Sequence, residues 1–166
     1  MDLGLKGLKA IVTGGSKGIG LKVVELLVAE GCDVGFCARG QADIDAVVTR
    51  LSDAAGENRG RVIGGVADVT DSEGLRAWIA ATADTLGGLD ILVPNASALG
   101  PAADEAAWRE GLEVDVLGTV RAVEAAMPYL ERSEHAAIVG LSSAGAINTS
   151  GHTRAYGGLK AALINY

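Results

Sequence analysis

The chain has 166 residues, of which 49% are hydrophobic and 21% charged, so it can bury one sizeable core and is too short for two ordinary domains. Its 14 basic and 21 acidic side chains leave a net charge of −7, which opposes nonspecific binding to nucleic acid or anionic lipid. No stretch approaches the roughly 18 to 20 apolar residues of a membrane span. The start, MDLGLKGLKAIVTGG, lacks the basic flank and long apolar run of a secretory signal. Cys32 and Cys37 are too few for a disulfide framework or a zinc site and read as packing residues. The expectation is one cytoplasmic domain over residues 1–166 with no metal, no nucleic acid and no membrane as partner.

Taken in order, short apolar runs alternate with longer helical patterns. LKAIVTG reads as a strand, GLKVVELLVAEG as a helix, DVGFCA as a strand, ADIDAVVTRLSDAAG as a helix and RVIGGVAD as a strand. SEGLRAWIAATADTL follows as a helix and LDILVPN as a strand, then a long helix near 104–132, the strand HAAIVGLSS and a final helix from about 153. Nearly continuous apolar strands are buried on both faces, and the helices between them are the crossovers that a parallel sheet requires. The pattern predicts an α/β, doubly wound parallel sheet: a Rossmann fold with helices layered on both sides. Thr70 and Glu73 have capping-box spacing, and Gly31 and Gly56 fall where helices should stop.

Between the first strand and first helix stands TGGSKGIG, residues 13–20. Gly14, Gly18 and Gly20 are spaced to turn the backbone, admit a pyrophosphate and pack the helix on the strand, while N–H groups at the helix start face the anion. Ser16, Lys17 and Ile19 lie in the same turn. The second strand ends in FCARG, where an NAD site would carry Asp or Glu for the ribose hydroxyls. Arg39 and Lys17 instead suit the 2′-phosphate of NADP(H), which is expected to be preferred, with NAD(H) still possible.

These segments together resemble the short-chain dehydrogenase/reductase family. TGGSKGIG is similar to its Thr-Gly-x-x-x-Gly-x-Gly turn, ADV at 67–69 to its adenine-contacting Asp, PNAS at 94–97 to its Asn-Asn-Ala-Gly turn, SS at 142–143 to its catalytic serine, and YGGLK at 156–160 to its Tyr-x-x-x-Lys. The glycine turn, serine pair and tyrosine segment look most like the 3-oxoacyl-carrier-protein reductase branch. The resemblance implies hydride transfer between NADP(H) and a small-molecule carbonyl or alcohol. It places Asp68, Val69, Asn95 and Ala96 against the cofactor, and Ser143, Tyr156 and Lys160 at the reacting atoms. Tyr156 and Lys160 would also touch the cofactor. The long helix resembles the one members use for two-fold pairing, implying a homodimer or homotetramer.

The chemistry fits that set. Protonating a carbonyl oxygen requires a donor that can ionise near working pH, whereas free tyrosine titrates near 10, about three units too high, or roughly 4 kcal/mol. A lysine one helical turn away can supply on the order of 4 kcal/mol at about 4 Å and an effective dielectric near 20, before screening. Ser143 would orient the substrate oxygen.

Three features depart from the family pattern. Pro94 and Ser97 replace the first Asn and the Gly of the Asn-Asn-Ala-Gly turn. Asp115 stands where the family has its fourth catalytic residue, an Asn. It can substitute if the backbone carbonyl holds a water in the proton relay, and would weaken the relay if a side-chain NH₂ is needed. The chain also stops before the later strands and the substrate-covering segment of family members, which suggests a C-terminally incomplete protein.

Two rival readings are a noncatalytic NADP-binding protein or inactive fragment, and an epimerase or dehydratase of the related extended family. The latter usually carries Gly-x-x-Gly-x-x-Gly, unlike the spacing of Gly14, Gly18 and Gly20. His152 reads as a capping or packing residue, His135 as solvated, Trp78 and Trp108 as packing, and the acids of PAADEAAWREGLEVD as a wet helix face.

Overall fold

The computed structural model describes residues 3–54, 59–98, 102–148 and 154–166. Strands β1 (Lys9–Thr13), β2 (Asp33–Ala38), β3 (Val62–Val66), β4 (Ile91–Val93) and β5 (Ala137–Ile138) form one sheet in the order β3-β2-β1-β4-β5. All its pairings are parallel. Connecting them are α1 (Gly18–Ala29), α2 (Gln41–Asp53), α3 (Ser72–Leu86), α4 (Glu105–Gly111), α5 (Gly118–Leu130) and α6 (Arg154–Asn165). None of the described helices is long and apolar enough to cross a membrane.

Side chains alternate across the pleat of β1, and this divides the core in two. Ala10 and Val12 join Val24 and Val28 of α1 and Ile44, Val47 and Leu51 of α2. Ile11, between them in sequence, joins Leu75, Ile79 and Ala83 of α3 and Ala122, Ala126 and Leu130 of α5. Each fully buried aliphatic side chain contributes about 1.5–3 kcal/mol, so both helical layers are held by the sheet centre. The chain crosses from one layer to the other between β3 and β4. That crossover puts the switch point, where β1 neighbours both β2 and β4, above the carboxyl ends of the central strands.

Burial on both faces holds for β1, β2 and β4 but not at the edges. On β3, Val66 is 52% exposed, because an edge strand has a neighbour on one side only. The apolar run HAAIVGLSS yields a strand of two residues, Ala137 and Ile138, both exposed.

Helix ends differ in detail from the sequence expectation. Asp71, not Thr70, caps α3, accepting from Gly74 N at 3.0 Å. Thr70 is taken by Asp68, whose Oδ1 accepts from both its N (2.9 Å) and its Oγ1 (2.8 Å). Gly31 follows α1 with φ +88°, as a helix stop should, and Gly56 lies outside the described residues.

The long helix expected near 104–132 is interrupted by a π-helical segment, Leu112–Leu117, between α4 and α5. Gly118 N donates five residues back to Glu113 O, and Thr119 Oγ1 donates to Asp115 O at 2.7 Å. A side chain drawing on a ladder carbonyl is one of the recognised causes of such a break.

Candidate functional site

A cleft of about 560 Å³ opens where the loops after all five strands converge. It is lined by Gly14, Ser16, Lys17, Gly18, Ile19 and Gly20 after β1, by Arg39 after β2, and by Asp68 and Val69 after β3. Asn95, Ala96 and Ser97 after β4, Ser142 after β5, and Tyr156 and Lys160 of α6 complete it.

The glycine turn is built for close approach. Gly14 has φ +68°, and a Cβ there would stand 3.1 Å from both the Ala96 Cα and Asn95 Nδ2. At Gly20 a Cβ would fall 2.3 Å from Asn95 Nδ2 and from Gly14 O, so the first turn of α1 packs directly on the turn before it. Helix α1 begins at Gly18, with Lys17 at the N-cap position giving no side-chain cap and with no acid in its first turn. Its N-terminal partial positive charge is therefore left facing the cleft.

Asn95 sits at the β1–β4 boundary. Its Nδ2 donates to Thr13 O (2.9 Å) and Gly14 O (3.1 Å), while Thr13 Oγ1 accepts from the backbone N of Asn95 (3.0 Å) and Ala96 (3.1 Å). The two loops that floor the cleft are thereby tied to each other. The Asp68 carboxyl is held below the usual carboxylate range, first by the Thr70 backbone N–H and also by the Thr70 hydroxyl and the Arg39 cation. Arg39 and Lys17 are exposed at the cleft wall.

On α6, the Lys160 ammonium lies 5.7 Å from the centre of the Tyr156 ring. Lys160 is buried, at 4% exposure, and its Nζ donates to Leu141 O at 3.0 Å. Asp115, on the π-helical segment and 2% exposed, forms an ion pair with it at 3.1 Å through Oδ1. The acids of this helix are otherwise largely wet, with Glu105 bonded to Arg109 and Glu113 to Arg121, so Asp115 is the exception to the solvated face expected of them.

The structure brings Tyr156 and Lys160 to one end of the cleft, with Asp115 buried behind them on Lys160 and itself outside the cleft lining. Ser143 is not among the lining residues. Its Oγ accepts from Gly145 N at 3.1 Å and caps the 3₁₀ turn Ala144–Ala146. Ser142 does line the cleft, and its Oγ donates to Lys160 O at 2.8 Å. Sequence reasoning passed over Ser142, since spacing to the tyrosine favours its neighbour, and over Thr13, whose anchoring hydroxyl precedes the first glycine. Trp78 packs against the α3/α5 core layer, whereas Trp108 stays 41% exposed with its ring edge over Gly158. His135 is exposed, and His152 lies outside the described residues.

Comparison with known proteins identifies the family and the fold. Residues 8–166 match the family model described as short chain dehydrogenase. The isoepoxydon dehydrogenase of Penicillium expansum is 33% identical over 169 residues, covering 100% of this chain and 64% of its own length. The cis-4-hydroxycyclohexanecarboxylate dehydrogenase of Sinomonas cyclohexanicum is 34% identical over 164 residues, covering 94% of this chain and 63% of its own. A short-chain type dehydrogenase/reductase structure from Mycobacterium ulcerans superposes with a TM-score of 0.89 at 29% identity, over 96% of this chain and 60% of that one. The chain thus spans less than two thirds of the length of these relatives.

Proposed function

Because this chain belongs to the short-chain dehydrogenase/reductase family, we propose that it takes part in hydride transfer between a nicotinamide dinucleotide and a small carbonyl or alcohol substrate. The observation that carries this reading is the convergence of the glycine turn, Tyr156 and Lys160 on one cleft.

The cleft fits the coenzyme. Gly14 and Gly20 leave room that a Cβ would fill, and the uncapped start of α1 offers N–H groups to a pyrophosphate. Gly18, Ser16 and Ile19 would line the phosphates, Asp68 and Val69 the adenine, and Asn95 and Ala96 the floor. Lys17 and Arg39 favour NADP(H) over NAD(H), since cations at this wall have a 2′-phosphate to bind and β2 ends in Ala38 and Arg39 where an NAD site would carry an acid for the ribose hydroxyls. When bound, the nicotinamide supplies or accepts the hydride.

The remaining chemistry belongs to the chain. Tyr156 gives a proton to the substrate oxygen in reduction and takes one in oxidation, the serine pair orients that oxygen, and Lys160 steadies the phenolate and holds the ribose. Within the pair, Ser143 is assigned by its spacing to the tyrosine and Ser142 is the one that lines the cleft. Asp115 acts on Lys160. Trp108, Leu112 and Met127 leave apolar surface exposed along the α4–α5 helix, which supports pairing of two chains there into a homodimer or homotetramer.

The experiment is NADPH titration by fluorescence, followed by turnover on a panel of ketones and aldehydes, for the protein and Tyr156→Phe. The variant should bind NADPH as well as the parent and lose turnover by about 10²- to 10⁴-fold, the usual contribution of a general acid. Near-normal turnover in the variant would overturn the assignment. The direct ion pair between Asp115 and Lys160 favours a second reading, a nucleotide-binding protein without turnover, which NADPH binding with no activity on any carbonyl would select.

A further inference from the structure

Two of the departures from the family pattern meet in space. Ser97 and Asp115 lie 18 positions apart, on the loop after β4 and on the π-helical segment, yet Ser97 Oγ donates to Asp115 Oδ1 at 2.5 Å. Asp115 Oδ2 accepts from Ala98 N at 2.9 Å, and Oδ1 also meets Lys160 Nζ at 3.1 Å. The carboxylate therefore receives a hydroxyl, a peptide N–H and an ammonium, almost out of reach of water.

That donor set discriminates between an acid and its amide. An ionised carboxylate accepts on both oxygens, whereas an Asn side chain accepts on one atom and donates from the other. Placed here with its NH₂ toward Ala98, an Asn would oppose one N–H with another. Turned over, it would point the NH₂ at the ammonium. Burial makes the choice costly in either orientation, since a buried charge is tolerated only when paired and hydrogen-bonded. With the glycine of the family pattern in place of Ser97, the hydroxyl donor would be missing and Oδ1 would keep the ammonium as its one partner, while Leu141 O still accepts from that ammonium at 3.0 Å.

We infer that Ser97 and Asp115 are a matched pair of positioning residues that fix the Lys160 ammonium, Ser97 by orienting the carboxylate and Asp115 by binding the cation. The contact is a property of the fold, and its catalytic meaning rests on the assignment of Lys160 to the reacting site. Through it the loop after β4, the π-helical segment and α6 are joined at one buried charge.

The test reads Lys160 itself rather than turnover. An ammonium donating to a carboxylate offers no lone pair to an acylating reagent, so acetylation of Lys160 by acetic anhydride is measured by peptide mass spectrometry. The rate in the native protein is compared with that of the same lysine in urea-unfolded chain. Native Lys160 should be strongly protected, and isosteric Asp115→Asn, which leaves the steric cover unchanged, should lose at least tenfold of that protection. Ser97→Ala should lose several-fold, Ser97→Thr should retain protection, and the Ser97→Ala/Asp115→Asn double variant should resemble Asp115→Asn alone. Protection within twofold of the parent in a folded Asp115→Asn protein overturns the proposal, as does multiplication of the two single effects. Should Asp115→Asn fail to fold, Ser97→Ala decides alone, and unchanged protection there overturns the proposal. A protein inactive on every carbonyl would refute the dehydrogenase reading without moving these rates.

Discussion

Asn95 and Gly14 are joined by a hydrogen bond of 3.1 Å from the Asn95 amide to the Gly14 carbonyl, with the Thr13 carbonyl accepting from the same nitrogen at 2.9 Å. The side chain that the sequence assigns to the coenzyme thus spends its donor on the scaffold, and its effect on binding runs through the shape of the glycine turn. Asn95→Ala should cost about 1–3 kcal/mol in urea unfolding, the penalty for leaving buried carbonyls without a donor. Asn95→Asp should cost more, because it turns an acceptor toward two acceptors. NADPH affinity should fall in both variants, and unchanged affinity would mean that the turn holds its shape without this tie.

Arg39 is exposed at the cleft wall, and a charge-assisted contact with a phosphate is worth about 1.5–3 kcal/mol. Arg39→Ala should weaken NADPH binding by roughly tenfold or more while changing NADH binding little. Calorimetric titration with both coenzymes measures the ratio. Equal losses for the two would remove Arg39 from the 2′-phosphate.

The serine pair can be separated by single substitutions. If Ser143 orients substrate, Ser143→Ala should lower kcat by about two orders of magnitude, the scale of a lost oxyanion donor. Ser142→Ala gives up the hydroxyl bond to the Lys160 carbonyl, a loss of about 1 kcal/mol in stability, and should keep most of kcat. The opposite ranking would transfer the orienting role to Ser142, which faces the cleft.

The two thiols give a pH signature. Desolvation pushes Cys37 up to about 12, against a smaller opposing effect from the Gly14 backbone N–H, and pushes Cys32 up to about 11, with the Asp33 carboxylate adding to it. Both folded values lie above the ordinary thiol value near 9, so the folded state binds these protons more tightly than the unfolded one. Their stabilising contribution is complete below about 9 and is lost as pH rises from there through 11 and 12. Unfolding midpoints should drop over that interval, and substituting both cysteines with Ala should flatten the drop. At pH 8 a thiol-specific reagent should label neither cysteine until urea unfolds the chain.

What could be read ahead of the structure was local. The apolar runs of β1, β2 and β4, the spacing of Gly14, Gly18 and Gly20, and the one-turn separation of Tyr156 and Lys160 depend on periods of two or 3.6 residues, and all are found in place. Competition between neighbours was less legible. Thr70 and Asp71 are both capping types, and Asp68 decides between them by taking the threonine hydroxyl. Ser142 and Ser143 are likewise separated by backbone direction, which their identical chemistry does not encode. The meeting of Ser97 with Asp115 lay furthest out of reach. It needs a loop and a helix brought together by the sheet, and a π-helical turn that no hydrophobic pattern announces.

That turn, Leu112–Leu117, acts as a phase shift built into the backbone. A regular helix advances by about 100° per residue, so closing the wider ring by deleting one residue between Glu113 and Gly118 would restore ordinary pitch and swing one flank of the helix around by roughly that angle relative to the other. The acid and the apolar stripe of α5 could then no longer both face inward. One surplus residue thus lets a single rod serve the hydrophobic layer with one part of its length and the cleft with another. Variation in the length of this segment should consequently be tolerated far less than variation in its side chains.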